Sequence, residues 1–529
     1  MLGGWTIRAR ITPPPPGTFP VKRISHPQSR KNSARRKRNV AARHAKAGHW
    51  PAQARPMFTA GRVHYEIGAN TDATSVGGLA AMHRLVTKLG LPAQLDARLK
   101  LLKVHLPYHE SDHVLNLAYN VLSGGTRLED LERLRHDTAY MNALGADLIP
   151  DPTTAGDFCR RFGEADVLVL LECINAVRPA LWRRRGRELL GPIAYLDVDG
   201  TLAPTTGKQK AGMDISYNGI WGYHPLIVSL ANTKEVLYVV NRPGNVPSHT
   251  DAAPWIDRAL DLVVPCTERV CLRGDTDFSL TAHFDRWAAR GDFLFGMDAS
   301  APLCAHAEAL DAACWERLER PRTPVPLTDQ TRERFQTDEK ARIVRERGYV
   351  NLALDGEDVA EFSYQPGKCR RPYRVVVLRK NISKMKGEQV LLDELRYFFY
   401  ITTRTDLSAA EVVHCANERC DQENVIAQLK HGVNALRVPL YDLVSNWAYM
   451  VMATLAWNIK AWFALMLHRV DDRRAYLDME FRRFLHDLVL IPCRVVRRAR
   501  SITIRLLGYR PALDRFFSTW RTIERLTFT

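Results

Sequence analysis

The sequence predicts an α/β protein: a mixed-sheet core interrupted by a β-strand insertion, with a helical N-terminal domain before it and a helical C-terminal region after it. Three observations predict this. From 193 to 297 the apolar runs order as three adjacent strands, a helix, a strand, a helix and a strand. From 348 to 403 the side chains alternate as β structure, and on either side the apolar period is helical.

Residues 1–56 combine Pro13–Pro16 with the basic cluster Lys31, Arg35, Arg36, Lys37 and Arg38, a composition that predicts a disordered basic tail. It is either a DNA-attracting arm or sequence upstream of a true start at Met57. Residues 57–190 read as a helical N-terminal domain. Thr126 to Glu129 is spaced as a capping box, and a second capped start is predicted at Thr154 with Asp157 behind it. Helices of this size can read a DNA groove or simply support the fold. The run Arg183, Arg184, Arg185 and Arg187 either touches phosphate or is a solvated face.

The first part of the core covers 191–315, with strands at Ile193–Val198, Leu226–Leu230, Val236–Val240, Val270–Arg273 and Phe293–Met297. The insertion covers 316–405, with four short strands and a turn at Pro366-Gly367. The second part of the core, 406–470, contains the apolar stretch Leu443–Leu467. Asn446, Asn458 and Lys460 within it are costly in lipid, so it predicts a buried helix and no membrane partner. Residues 471–529 read as a basic helical region around Arg494, Arg497, Arg498 and Arg500.

The 529 residues are 46% apolar and 25% charged, which excludes overall disorder, a fibrous repeat and a disulfide-stapled miniprotein. The net charge of +17 is concentrated at one end: residues 1–65 hold 14 basic and no acidic side chains, leaving 61 against 58 elsewhere. Charge is therefore weak evidence for an anionic partner. The ten cysteines are dispersed, and the spacing of Cys266 with Cys271 and Cys415 with Cys420 lacks a matching second pair, which argues against zinc. The first 25 residues have no apolar core of a secretory signal. A cytoplasmic location follows as the expectation.

Two predicted strands end in acids, Asp197 and Asp199 on one and Asp275 and Asp277 on the other, each pair on one face of its strand. Carboxylates at neighbouring strand ends converge where α/β sheets bind ligands. All-oxygen donors favour Mg2+ or Mn2+. On a predicted helix, Arg419, Glu423 and Lys430 share a face. Taken alone they are a salt-bridged surface stripe; combined with the strand-end acids, Glu423 completes a two-metal site and the cations neutralise phosphate. A rival reading takes Asp197-Val-Asp-Gly-Thr-Leu202 as the first motif of haloacid-dehalogenase-like phosphatases, with Asp197 as nucleophile.

Six stretches together carry a resemblance: Leu196–Thr201, Gly207–Gln209, Gly222–Leu226, Arg242–Asn245, Leu272–Phe278, and Arg419–Ile426 with Lys430. In order and spacing over about 75–510 the chain resembles the DDE transposases of bacterial insertion sequences, family 1380. The resemblance implies an RNase H-like core, binding of terminal inverted repeats and target DNA, and Mg2+-dependent strand cleavage and strand transfer. A homo-oligomeric synaptic complex and a nucleoid-associated location follow from it. It places the three acids on Asp199, Asp275 and Glu423, as catalytic residues and metal ligands, and DNA contacts on Arg419 and Lys430. Asp197 and Asp277 become secondary candidates, with Asp197→Asn expected to hurt less than Asp199→Asn. The related tyrosine position is Ala416 here. A decayed copy that binds DNA without cutting it is the other reading of the same resemblance.

Overall fold

The computed structural model describes residues 26–47, 64–65, 72–320, 339–348, 350–386, 389–498 and 501–527. It divides into two units, Met1–Ala69 with Gly508–Leu513, and Asn70–Leu507 with Asp514–Thr529. In the first, His26–Ala47 is a helix of 22 residues within the tail that was predicted disordered. Its Ala, Arg and Lys are strong helix formers, and helix formation there needs no apolar face. The rest of the predicted tail, and Met57, lie outside the described residues.

The second unit opens with short helices over 79–190. Their starts differ from the predicted caps by a few residues. Asp130, and not Glu129, accepts the Thr126 and Arg127 amides at 2.6 and 3.0 Å. Asp151 caps the helix Pro152–Cys159 by accepting the Thr154 amide at 2.9 Å, so Thr154 lies inside the helix. A shorter Asp side chain competes well for backbone donors at such a position.

In chain order the strands are β1 (Ala73–Thr74), β2 (Ile193–Gly200), β3 (Ala203–Pro204), β4 (Asp214–Ile215), β5 (Trp221–Tyr223), β6 (Leu226–Leu230), β7 (Glu235–Val240) and β8 (Arg269–Gly274). They continue as β9 (Asp292–Met297), β10 (Glu316–Arg317), β11 (Val350–Tyr364), β12 (Tyr373–Lys386), β13 (Gln389–Thr402), β14 (Cys493–Arg498) and β15 (Ser501–Leu506). Nine of them form one mixed sheet in the order β10-β11-β12-β13-β9-β8-β2-β6-β7. β2 is antiparallel to β6 and parallel to β8, and β8 is parallel to β9. The helix Ala252–Val263 makes the crossover from β7 to β8 and buries Ile256, Ala259, Leu260 and Val263.

β7 ends the sheet, and an uncovered strand edge leaves backbone groups unpaired. The helix Leu443–Leu465 covers it. Asn458 accepts the Val236 amide at 2.9 Å and donates to its carbonyl at 3.0 Å, and the Trp457 indole donates to Lys234 O at 2.6 Å. Lys460, fully buried, donates to Leu477 O at 2.7 Å and lies 3.9 Å from the Trp457 ring centre. Burial pushes its pKa down to about 7. The polar side chains that argued against a membrane span thus bind backbone within the protein, and no helix among the described residues is long and apolar enough to cross a membrane.

The insertion adds three long strands where four short ones were predicted. The first two predicted strands are one, β11, with a register shift between Leu354 and Gly356; a bulge there interrupts the alternation without ending the strand. At the C-terminal end β14 and β15 pair as an antiparallel ribbon where helix was predicted. Its buried Cys493 and Val495 alternate with exposed Arg494 and Arg497, and β-branched residues at 495, 496, 502, 503 and 504 favour strand. A helix, Leu513–Glu524, follows.

Candidate active site

The period-2 geometry of β2 puts Tyr195, Asp197 and Asp199 on one face. Register sets Asp197 opposite Arg273 on β8. Both side chains are at most 3% exposed, and the guanidinium meets both carboxylate oxygens, at 2.7 and 3.0 Å. Arg273 also donates to Cys415 O at 3.0 Å and lies 4.5 Å from the Tyr195 ring centre. Burial opposes the Arg273 charge, yet the Asp197 carboxylate holds its pKa above the ordinary value. Asp197 is therefore a clamp between the central strands and the helix Ala409–Glu418. This corrects the phosphatase reading: a nucleophile needs a free carboxylate oxygen, and both oxygens of Asp197 are engaged away from solvent.

Asp199, two residues on, lies at the open end of the same face. Its side chain is 16% exposed and meets the Arg419 guanidinium at 3.2 Å. Asp275 follows the last residue of β8 and begins the turn Thr276–Phe278, accepting the Asp277 amide at 3.0 Å. Glycine precedes it for a packing reason, since a Cβ at Gly274 would lie 2.8 Å from the Phe278 Cβ and 3.0 Å from the Phe295 ring. Asp277 itself is exposed. Burial pushes Asp199 up to about 6, with Arg419 opposing the shift and Asp275 adding to it. Asp275 is also raised, by burial first, with Arg419 opposing and Asp277 adding. Asp199 thus feels the Asp275 charge, and both carboxylates feel Arg419. Burial lowers the Lys430 pKa, and the Asp199 charge opposes that shift. Asp199 loses its negative charge as pH falls through about 6, so any cation it binds is released in that direction.

The helix carrying Arg419 and Lys430 is seated by particular contacts. Ser408 and Glu411 form a reciprocal capping box at its start. The helix continues as Cys420–Ala427 and then a π-helical turn, Gln428–Gly432, that carries Lys430. Buried Gln422 donates to Asp197 O at 3.0 Å and to Ile227 O at 3.2 Å, fixing the helix across β2 and β6. Ala416, at the family's tyrosine position, packs against the apolar cluster of Val412, Val413 and Cys415. Asp199, Asp275, Arg419 and Lys430 are therefore brought together. Glu423 is exposed one turn from Arg419. Among the described residues no group of three His, Cys, Asp or Glu side chains closes to metal-holding spacing.

Three further residues border the site. A Cβ on Gly200 would lie 2.8 Å from Ser248 Oγ and 3.1 Å from His224 Nε2, so a larger residue there would have to push these side chains aside. The His224 imidazole hydrogen-bonds Val246 O through Nδ1 at 2.7 Å. Arg242 donates to the carbonyls of His224 at 3.0 Å, Ser248 at 2.9 Å and Thr250 at 2.8 Å, stapling this loop to the sheet. The motifs containing His224 and Arg242 were visible in the sequence; their roles were not, because they depend on contacts between strand ends and a distant loop.

Two partly buried carboxylates whose pKa values stay raised by burial although Arg419 and backbone amides oppose the shift have the donor chemistry of a site for a hard divalent cation. In α/β sheets the crevice outside such strand ends is where ligands bind, and here it is bordered by Arg419 and Lys430. The chain is a DDE transposase: the family described as transposase DDE domain group 1 matches residues 66–528. Among solved structures it is similar to a piggyBac transposase determined by cryo-electron microscopy as a synaptic complex with hairpin DNA. That similarity is 10% identity and a TM-score of 0.30, over 79% of this chain and 82% of that one. No curated protein matches the chain.

Proposed function

We propose that the chain is the transposase of an insertion sequence of family 1380, which binds the terminal inverted repeats as a synaptic oligomer and cuts and transfers DNA strands with Mg2+ or Mn2+. The observation that carries this is the placement of Asp199 and Asp275 at the ends of adjacent parallel strands, with Arg419 against the first at 3.2 Å. The order β7-β6-β2-β8-β9, three antiparallel strands followed by two parallel to β2, supports an RNase H-like core. In this reading 191–315 and 406–470 form that core, 316–405 is its insertion, 57–190 contributes to DNA binding, and the basic segments 1–56 and 471–529 flank it.

Asp199, Asp275 and Glu423 would hold the cation, which supplies activation of the attacking water or 3'-hydroxyl and stabilisation of the leaving oxygen. Arg419 has a double task. Without DNA it neutralises Asp199, and with DNA its fork of N–H donors suits a phosphate oxygen pair. Lys430 adds a point charge from the next turns of the helix. Gln422 and the Asp197–Arg273 clamp keep that helix in place over the strand ends, so alignment of the cations does not depend on the ligand.

The test is incubation of the full chain with DNA carrying one element end and its flank. The expected outcome is strand breaks at the repeat boundary with Mg2+ and none with chelator. Specific binding without breaks would instead identify a silent relic.

A further inference from the structure

Between β2 and β6 the chain leaves the main sheet, forms the small sheet β3-β5-β4 and returns. Within residues 215–221, four large side chains face solvent: Ile215 is 43% exposed, Tyr217 95%, Ile220 44% and Trp221 51%. Single exposed apolar residues are ordinary, but this density on one excursion marks an interaction surface.

The excursion is held rigidly. The Ser216 amide donates to Ile220 O at 2.9 Å across a turn closed by Gly219 at φ +75°. Tyr223 Oη donates to Ala211 O at 2.9 Å, Lys210 Nζ donates to Val438 O at 2.7 Å, and the Ala211 amide donates to Tyr441 O at 2.9 Å. The segment on which it rests follows the turn carrying Lys430, and it exposes Arg437 and Tyr441. Lys208 is exposed on the excursion itself. The acids of this rim are turned to backbone: Asp214 accepts the Ile215 amide at 2.7 Å and Asp442 the Ser445 amide at 2.8 Å. The rim therefore combines aromatic faces with positive charge, the combination that binds unpaired nucleobases by stacking and their backbone by charge.

Register also limits its reach. Pro204 pairs with Gly222, and the Thr205 amide donates to Trp221 O at 2.9 Å, so Trp221 stands opposite a residue six positions beyond Asp199. At roughly 3.3 Å per residue along the strand plus about 4.8 Å across to its neighbour, the Trp221 backbone lies at most about 25 Å from that of Asp199, or about seven nucleotides of one strand at roughly 3.4 Å each.

We propose that residues 215–221 are a stacking platform for unpaired nucleobases within about seven nucleotides of the cleaved bond, Tyr217 and Trp221 taking the base faces and Lys208 and Arg437 the adjoining phosphates. The proposal rests on the DNA-cleavage reading above. The test uses the full chain and end DNA substituted with 5-bromouracil at each of these positions. Irradiation is expected to attach the DNA to the tryptic peptide Ala211–Lys234. Tyr217→Ala combined with Trp221→Ala is expected to weaken binding of a single-stranded-tailed end by about tenfold or more while blunt duplex is affected less, and Tyr217→Phe is expected to bind like the unaltered chain. Crosslinks confined to other peptides, or equal loss for tailed and blunt DNA, while the unaltered chain cuts normally, would overturn this inference alone. Absence of any repeat-specific binding or cutting would overturn it together with the reading beneath it.

Discussion

Asp275→Asn or Glu423→Gln is expected to lower cleavage at the element end by at least about a hundredfold while leaving binding of the terminal repeat within a few-fold. Outer partners of metal ligands already cost ~10- to 100-fold, and loss of a ligand costs more. The two substitutions probe different things. Asp275 is partly buried, and its charge helps to raise the pKa of Asp199, so its amide variant removes a donor from the existing pair. Glu423 is exposed, so its variant asks whether the helix surface acid joins that pair. Cleavage and electrophoretic binding assays on the same preparations separate the two effects. Full cutting by the Glu423 variant would leave the assignment of the third acid without support.

Arg273→Met is expected to destabilise the protein by about 3–5 kcal/mol, because it strands the Asp197 carboxylate, 1% exposed, without its partner. Chemical denaturation of the second unit's tertiary signal reads this out. The double change with Asp197→Leu is expected to recover most of the loss, since an apolar pair of similar volume avoids both desolvation costs. Failure of the double variant to recover would mean that Asp197 has a role beyond the clamp. Asp197→Asn should accordingly act through stability, and its cleavage defect per folded molecule should be smaller than that of Asp199→Asn.

The core strands were legible because they are buried β-branched and aromatic runs bounded by Gly and Pro. The strand-end pairs Asp197 with Asp199 and Asp275 with Asp277 could be read from alternation, but the choice of Asp199 and Asp275 within them came from the family resemblance. Arg273 was not, since a basic residue in a strand has no meaning until register sets it opposite Asp197. For Glu423 the helical face could be read from spacing, but the π-helical turn at Gln428–Gly432 and the exposure of the side chain could not. The C-terminal ribbon was missed because its arginines drew attention from the alternating Cys493, Val495 and Ile504 beneath them. The helix His26–Ala47 was missed because composition reports the lack of a core, and not the local propensity of Ala, Arg and Lys.

The central claim is that acids from two strands and one helix share a hard cation. Titration of Mn2+ by electron paramagnetic resonance, on the full chain bound to end DNA, tests it directly. The account predicts saturable binding at neutral pH that weakens as pH falls through about 6, where Asp199 protonates, and that is at least roughly tenfold weaker in each of Asp199→Asn, Asp275→Asn and Glu423→Gln. Binding unchanged in the three variants, or no saturable binding by the unaltered chain, would contradict it.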